Sequence, residues 1–223
     1  MTVVLVHGNP ETDTIWGALV AAPGRDEVVR LSPPAFGARL PTASRRRLAT
    51  TATGLRASWS ASNEPVDLVG HDWDGLHVVN VAMHPPELLR SWVSDEVGIF
   101  DADGTVDDRS GLLAELGIPL DISTSIAKAQ GPEMGRAILA LYRAAAQPVM
   151  AEAVRDLENA AARPGLSILA TEDAYVGTDE SQRRAAQRAG ARIEVLDGLG
   201  HRWMVQDPAR GAALLNRFWE ALD

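Results

Sequence analysis

The chain has 223 residues, of which 46% are apolar and 23% are charged, and its formal net charge is −9. This size and composition predict one globular domain with a substantial core. The negative charge argues against nucleic acid as a partner, because the one dense basic run, Arg45–Arg47, is too small to follow a phosphate backbone. We interpret that run as a solvated helix face.

The sequence contains no cysteine, which excludes disulfides, thiolate nucleophiles and cysteine metal sites. No apolar run approaches the length of a membrane span, and no basic segment followed by an apolar one opens the chain. The five histidines show no metal-ligand spacing such as His-Glu-x-x-His, so no metal site is predicted. We therefore expect a cytoplasmic protein that binds neither nucleic acid nor a membrane.

Apolar, β-branched runs alternate with helix-like segments along most of the chain. Strands are predicted at Thr2–Val6, Glu27–Leu31, Val66–Val69, Leu88–Ser94, Leu166–Ala170 and Arg192–Leu196. Helices are predicted at Thr14–Ala21, Ser44–Ser60, Trp73–His84, Arg136–Ala146, Pro148–Ala162, Glu180–Ala189 and Pro208–Leu222. This alternation predicts a single α/β domain with a mostly parallel, doubly wound sheet of about six strands. No strand pattern occurs at about residues 100–162, which are interpreted as a short helical cap.

The segment Val66–Gly75, Val-Asp-Leu-Val-Gly-His-Asp-Trp-Asp-Gly, leads from a predicted strand into a predicted helix. A nucleophile on such a sharp turn is exposed above the sheet. Asp72 occupies the middle of the pattern, where esterases carry serine. A carboxylate in that place attacks carbon and forms an ester with the substrate. Asp72 is therefore the candidate nucleophile, because choosing Asp74 instead would lose the small residue before it.

Three motifs carry a resemblance to a known family: His7–Pro10, Gly70–Trp73, and Gly198–His201 followed by Asp207–Pro208. With these motifs, the sequence resembles α/β-hydrolases of the branch that holds haloalkane dehalogenases and epoxide hydrolases. The resemblance spans nearly the whole chain and is specific for the fold and the aspartate branch, but not for one substrate. It departs at Asp74, where the family normally has a small residue. The family's opening antiparallel hairpin has no counterpart, and the cap is short. A homodimer in which a second subunit completes the pocket is an open alternative.

The resemblance implies the order nucleophile, acid, histidine. His201 would activate the water that cleaves the enzyme ester. Asp173, after the fifth predicted strand, matches the usual place of the acid that orients the imidazole. Glu172 is an alternative if the turn is offset by one residue. Asp95 and Glu96 are further alternatives, because some dehalogenases place the acid after the preceding strand.

The resemblance also implies an oxyanion hole formed by backbone N–H groups of Asn9 and Trp73. Their side chains would hold a departing halide, unless Trp73 simply packs and Asn9 caps the following helix. His7 and His71 flank the site and are interpreted as packing and hydrogen-bonding residues.

The activity implied first is that of a haloalkane dehalogenase, a hydrolase that acts on a small apolar electrophile and needs no cofactor beyond water. Epoxide hydrolysis is the alternative, and its family usually supplies two cap tyrosines as acids. This chain has Tyr142, which is favoured for that role, and Tyr175, which is the weaker candidate. A non-hydrolytic homologue that binds a ligand or steers a pathway is a third hypothesis, motivated by Asp74 and by the reduced sheet. A serine esterase is disfavoured because no Gly-x-Ser-x-Gly occurs.

Overall fold

The computed structural model of the protein describes residues 1–21, 27–33, 64–84, 86–100, 132–144, 152–153 and 155–223. The predicted helix Ser44–Ser60 and the basic run Arg45–Arg47 lie outside the described residues, as does most of the predicted cap. The cap therefore stays a prediction.

The strands that the structure describes form one sheet of six parallel strands in the order β2-β1-β3-β4-β5-β6. They are β1 (Val3–Val6), β2 (Val28–Leu31), β3 (Val66–Gly70), β4 (Leu89–Ser94), β5 (Gly165–Ala170) and β6 (Ala191–Leu196). Each strand agrees with its predicted segment to within one residue at either end. The predicted α/β class and parallel sheet are confirmed.

Helices cover both faces of this sheet. The α-helices are α1 (Gly17–Ala21), α2 (Trp73–Met83), α3 (Pro132–Ala144), α4 (Asp179–Arg188), α5 (Trp203–Gln206) and α6 (Pro208–Glu220). Short 3₁₀ helices occur at Asp13–Trp16, Pro86–Leu88, Val97–Phe100 and Leu157–Ala162. None of the helices in the described ranges combines the length and the apolar character needed to cross a membrane.

Local signals explain where several helices begin. Asp207 accepts a hydrogen bond from the backbone N–H of Arg210 at 3.0 Å, and Pro208 occupies the first turn of α6, where a missing N–H does no harm. Thr178 and Ser181 form a capping box at the start of α4. These side chains satisfy backbone N–H groups that have no partner within the helix.

The single helix predicted over Pro148–Ala162 is interrupted in its described part, although Glu152 and Ala153 are helical. Arg155 and Asp156 form a turn, and a 3₁₀ helix follows at Leu157–Ala162. The indole Nε1 of Trp92 in β4 donates to the Ala160 carbonyl at 3.1 Å, which ties this segment to the sheet. That contact joins residues far apart in the sequence, so helix periodicity could not reveal it.

The core lies on both faces of the sheet because side chains alternate along each strand. Val4 and Val6 of β1 belong to a buried cluster with α2, α3 and α4. Val3 and Leu5 belong to a second cluster with α1, α5 and α6. A central strand buried on both faces explains the uninterrupted apolar run that predicted β1.

Strand β3 and helix α2 approach each other closely at Gly70. A Cβ atom there would lie 2.3 Å from the backbone oxygen of Asp74 and 2.7 Å from Cγ2 of Val78. The first of these neighbours is backbone, so the helix would have to move away from the strand to make room. Glycine at this position therefore allows the turn that carries Asp72.

We expect Gly70→Ala to lower the free energy of unfolding by about 3 kcal/mol, because overpacking against backbone cannot be relieved by a rotamer change. Gly17→Ala is the matched control, since its Cβ would meet only the Arg30 guanidinium at 3.8 Å. The control should be neutral or slightly stabilising in α1. Urea unfolding followed by tryptophan fluorescence measures both variants, and equal midpoints for Gly70→Ala and the parent would contradict this account.

The sheet order places a topological switch point between β1 and β3. From β1 the chain moves outward to β2 and then returns to the other side of β1 as β3. In open α/β sheets, ligands bind outside the carboxyl ends of the strands at such a point. The loops after β1 and β3 therefore flank the expected site.

Candidate active site

Asp72 lies in the turn between β3 and α2 with a backbone conformation that residues other than glycine rarely adopt. Its φ is 52° and its ψ is −130°, and within the described residues it is the one non-glycine residue with positive φ. Its backbone N–H donates to Oδ1 of Asp95 at 3.1 Å, which holds the turn. A strained strand-to-helix turn of this kind carries the nucleophile in α/β-hydrolases.

Glycines allow neighbouring backbone to reach the Asp72 side chain. A Cβ atom on Gly8 would lie 2.2 Å from Cβ of Asp72, so only glycine lets the loop after β1 pass this close. A Cβ on Gly75 would lie 2.9 Å from Oγ of Ser94. Gly75 is therefore the small residue of this turn, and it lies one position after Asp74, the place where the family normally has it.

The carboxylate of Asp74 is turned to a partner within its own helix. Its Oδ1 accepts a hydrogen bond from Nδ1 of His77 at 3.0 Å, and both side chains are buried. The unusual carboxylate in the elbow is therefore paired with a histidine one turn away.

His201 lies between the predicted nucleophile and the predicted acid. Its Nε2 is 3.7 Å from Oδ2 of Asp72, and its Nδ1 is 2.9 Å from Oδ2 of Asp173. The Asp173 side chain is 2% exposed, whereas those of Asp72 and His201 are 18% and 14% exposed. One imidazole nitrogen is thus held by a nearly buried acid, while the other faces the more open elbow.

The loops that carry His201 and its acid are held together by hydrogen bonds. The Oγ1 atom of Thr171 accepts the N–H of Gly198 at 2.9 Å. Oδ1 of Asp173 accepts the N–H of Tyr175 at 2.9 Å. Gly198 has a φ of 73°, which glycine adopts without strain.

The four candidate acids differ in their burial and in the residues that they contact. Asp173 contacts His201, whereas Glu172 is exposed in the same loop. Asp95 and Glu96 are both buried, and the Asp95 carboxylate bonds His71.

Within the described ranges, no three metal-ligating side chains come together.

The backbone N–H groups of Asn9 and Trp73 both bond the Asp72 carboxylate. The first bond, from Asn9 to Oδ1, is 2.7 Å long, and the second lowers the pKa of Asp72. In an ester at Asp72, one carboxylate oxygen becomes the carbonyl oxygen on which negative charge develops when water attacks. Donors in these positions would stabilise that charge.

The side chains of the same two residues have different surroundings. Asn9 does not cap the following helix, because Thr12 occupies the N-cap position. Its Nδ2 atom is buried and has no hydrogen-bond partner in the described part of the chain. Trp73 is 7% exposed and packs in the apolar cluster of α2.

The structure describes the two candidate tyrosines to different extents. Tyr142 lies in α3, and its side chain is outside what the structure describes. Tyr175 is 72% exposed, and its ring centre is 5.0 Å from that of His201. Its position two residues after Asp173 is the sequence signal that could have placed it at the site.

The protonation states of Asp72 and His201 depend on burial and on neighbouring charges. Burial raises the pKa of Asp72 above its ordinary value, although His71, His201 and the Asn9 N–H oppose the shift. Burial lowers the pKa of His201, but the hydrogen bond to Asp173 and the charges of Asp72 and Asp173 together outweigh this effect, so the pKa is raised above 6.5. A nucleophilic carboxylate must be ionised and a general base must be neutral, so lower pH opposes both roles.

A second histidine–carboxylate pair lies beside the first. His71 is fully buried, and its Nδ1 is 2.6 Å from Oδ2 of Asp95, which also accepts the indole N–H of Trp203 at 2.8 Å. Burial lowers the pKa of His71, but the Asp95 carboxylate outweighs it and raises the pKa to about 9. Burial likewise raises the pKa of Asp95, but the charge and hydrogen bond of His71, with smaller contributions from His201 and Trp203, lower it below its ordinary value. Both shifts favour the ionic form of the pair.

As expected, His7 and His71 are buried and hydrogen-bonded. Nε2 of His7 lies 2.9 Å from Oγ of Ser32.

The sequence suggested Asp95 only as a partner of His201, and it gave no sign of Trp203. No local pattern marks Trp203, because its bond to Asp95 joins residues 108 positions apart.

Comparison with known proteins agrees with this architecture. The model of the alpha/beta hydrolase family matches residues 3–214. The chain belongs to the α/β-hydrolase family. No protein of curated function matches its sequence.

Solved structures share the fold of this α/β-hydrolase at low identity. NosK from Streptomyces actuosus is 21% identical with a TM-score of 0.74, over 99% of this chain and 98% of that one. A loop variant of haloalkane dehalogenase DbeA from Bradyrhizobium elkanii is 17% identical with a TM-score of 0.68, over 99% and 89%. The serine hydrolase CarC, involved in carbazole degradation, is 17% identical with a TM-score of 0.73, over 99% and 92%. The family is confirmed, and the aspartate branch stays a prediction.

Proposed function

We propose that this α/β-hydrolase forms and hydrolyses an alkyl ester at Asp72, acting on a small apolar electrophile in the manner of a haloalkane dehalogenase. The observation that carries the proposal is the carboxylate of Asp72 on a strained elbow, facing Nε2 of His201 at 3.7 Å. A carboxylate in the nucleophile's place can displace a leaving group from saturated carbon.

In the first step, an oxygen of Asp72 attacks the carbon that carries the halogen. The carbon–oxygen bond forms as the carbon–halogen bond breaks, and the halide leaves with the bonding electrons. The side-chain amide of Asn9 and the indole of Trp73 are the proposed halide contacts. Support for Asn9 comes from its buried Nδ2, which has no partner among the described residues.

In the second step, His201 takes a proton from water as the water oxygen attacks the ester carbonyl carbon. The backbone N–H groups of Asn9 and Trp73 stabilise the tetrahedral oxyanion. Collapse of this intermediate breaks the bond to the alkoxide, which receives the proton from His201 and leaves as alcohol. Asp72 is left as a carboxylic acid, which regenerates the carboxylate by losing its proton to solvent, and Asp173 stabilises the imidazolium that forms in between.

His201→Gln is expected to accumulate the covalent ester, because alkylation does not require the imidazole but ester hydrolysis does. The variant is incubated separately with 1,2-dibromoethane and with styrene oxide, and its intact mass is measured. Peptide mapping then locates the adduct. His84→Gln is the matched control, because His84 is a half-exposed histidine paired with Asp156 at 3.7 Å, and it should accumulate no adduct.

An adduct from the bromide on Asp72 would support the dehalogenase activity. An adduct from the epoxide alone would favour epoxide hydrolysis instead. The absence of any adduct from either reagent would contradict alkylation of Asp72 by these substrate classes.

Epoxide hydrolysis is the second candidate because it uses the same ester intermediate. It also needs an acid that protonates the opening epoxide oxygen. Tyr175 is favoured for this role by its ring, 5.0 Å from that of His201. Tyr142, preferred from the sequence, remains the other candidate on α3.

A further inference from the structure

A buried histidine that the proposed mechanism does not use lies beside both reacting side chains. His71 directly precedes Asp72 and has no exposed surface. The centre of its ring is 4.6 Å from that of His201. Asp95 binds its Nδ1 at 2.6 Å, and this short bond to a carboxylate favours the protonated imidazole.

Several elements contribute charged groups around His71. Asp95 approaches from the end of β4, Asp72 from the elbow and Glu11 from the loop after β1, and all three favour the charged imidazole. Glu11 is itself bound to Arg202 at 3.1 Å. Among the described residues, His201 is the other titratable group whose ring contacts that of His71.

Aromatic rings separate His71 from solvent. The ring of Trp16 lies edge-on to that of His71, with centres 6.3 Å apart, and Trp16 also contacts Trp203 at 6.1 Å. Both indoles are fully buried. A charge in such a dry environment is poorly screened, so it acts on its neighbours more strongly than it would in water.

We propose that the His71–Asp95 pair holds a fixed buried cation that favours the ionised form of Asp72 for attack and the neutral form of His201 for activation of water. The inference rests on the proposed roles of Asp72 and His201. A positive charge stabilises a neighbouring carboxylate and destabilises a neighbouring imidazolium. One charge therefore favours the reactive form of both groups. His71 is a positioning residue, because it acts through these two side chains.

The contribution of His71 to each pKa has the direction that this role requires, although other effects raise the pKa of both groups. The charge of His71 lowers the pKa of Asp72, against burial, which raises it. The same charge lowers the pKa of His201, against the hydrogen bond to Asp173, which raises it. Without the cation, Asp72 would stay protonated to higher pH, and alkylation would lose its nucleophile there.

The test compares His71→Gln with its parent, both carrying His201→Gln so that the ester accumulates. The rate of adduct formation with 1,2-dibromoethane is measured as a function of pH. At neutral pH we expect adduct formation to slow by about tenfold or more. The acid limb of the profile should move to higher pH, and the rate should recover when the pH is raised.

His77→Gln in the same background is the matched control. His77 is also buried and is paired with a carboxylate, Asp74, at 3.0 Å. The control should keep the position of the acid limb. A merely structural role of His71 would slow adduct formation equally at all pH values, and an unmoved limb in His71→Gln would overturn the proposal.

Nuclear magnetic resonance tests the buried cation without any substrate. In the unmodified protein labelled with ¹⁵N-histidine, the two ring nitrogens of His71 should both carry protons at neutral pH. The signal is assigned by its loss in His71→Gln or, if that variant does not fold, by elimination through single variants of the other four histidines. A neutral His71 at pH 7 would overturn the inference even if no adduct forms, whereas a charged His71 with no adduct would count only against the proposed chemistry at Asp72.

Discussion

Asp72→Asn is expected to reduce bromide release from 1,2-dibromoethane by at least about 10⁴-fold, because an amide cannot replace the carboxylate as nucleophile. The variant should still fold. Asparagine tolerates positive φ, and its amide oxygen can still accept the Asn9 N–H that lies 2.7 Å from the native carboxylate. Released bromide and intact mass measure the effect, and unfolding in urea checks the fold.

Asp74→Asn is the matched control for this prediction. It removes the other carboxylate of the elbow, which is bonded to His77 at 3.0 Å and lies within α2. We expect Asp74→Asn to keep the capacity to form the ester. Loss of adduct in Asp74→Asn with retention in Asp72→Asn would move the nucleophile to Asp74 and contradict the assignment.

Asp173→Asn is expected to slow hydrolysis of the ester by about 10⁴-fold, because an amide in that place can stabilise the wrong tautomer of the imidazole. Alkylation of Asp72 should be much less affected, so the ester should accumulate as in His201→Gln. Burial lowers the pKa of His201, and the bond at 2.9 Å to Asp173 is the main effect that raises it. Without that carboxylate, the acid limb of the remaining hydrolysis should shift to lower pH.

Glu172→Gln separates the roles of two neighbouring carboxylates. Glu172 is exposed, whereas the Asp173 side chain is 2% exposed and bonded to His201. Rapid quenching resolves formation and decay of the ester, and Glu172→Gln should match the unmodified protein in both. Accumulated ester in Glu172→Gln, but not in Asp173→Asn, would assign the orienting acid to Glu172.

Local patterns explain why the sheet and the elbow could be predicted from the sequence. A strand buried on both faces is a short apolar run, and each strand predicted in this way was found to within one residue at either end. The elbow is also local, because Gly70, Asp72 and Gly75 act within one turn between β3 and α2. The structure places Asp72 on the sharp turn that the motif predicted, with a φ of 52°.

The partners of the buried carboxylates depended on tertiary structure. Asp95 follows β4, and His71 follows the neighbouring strand β3, so the sheet order brings together residues 24 positions apart. The sequence presented Asp95 and Asp173 as competing acids for His201. The structure pairs one with His71 and the other with His201.

The sequence by itself determined the α/β class, the parallel strands and the position of Asp72 on its turn, because periodicity and turn chemistry act over a few residues. Only the tertiary structure decided which histidine each carboxylate binds and that Tyr175 lies beside His201. Such pairings depend on the order of strands in the sheet and on the direction in which each loop leaves it. Both result from the packing of the whole chain, which no short segment encodes.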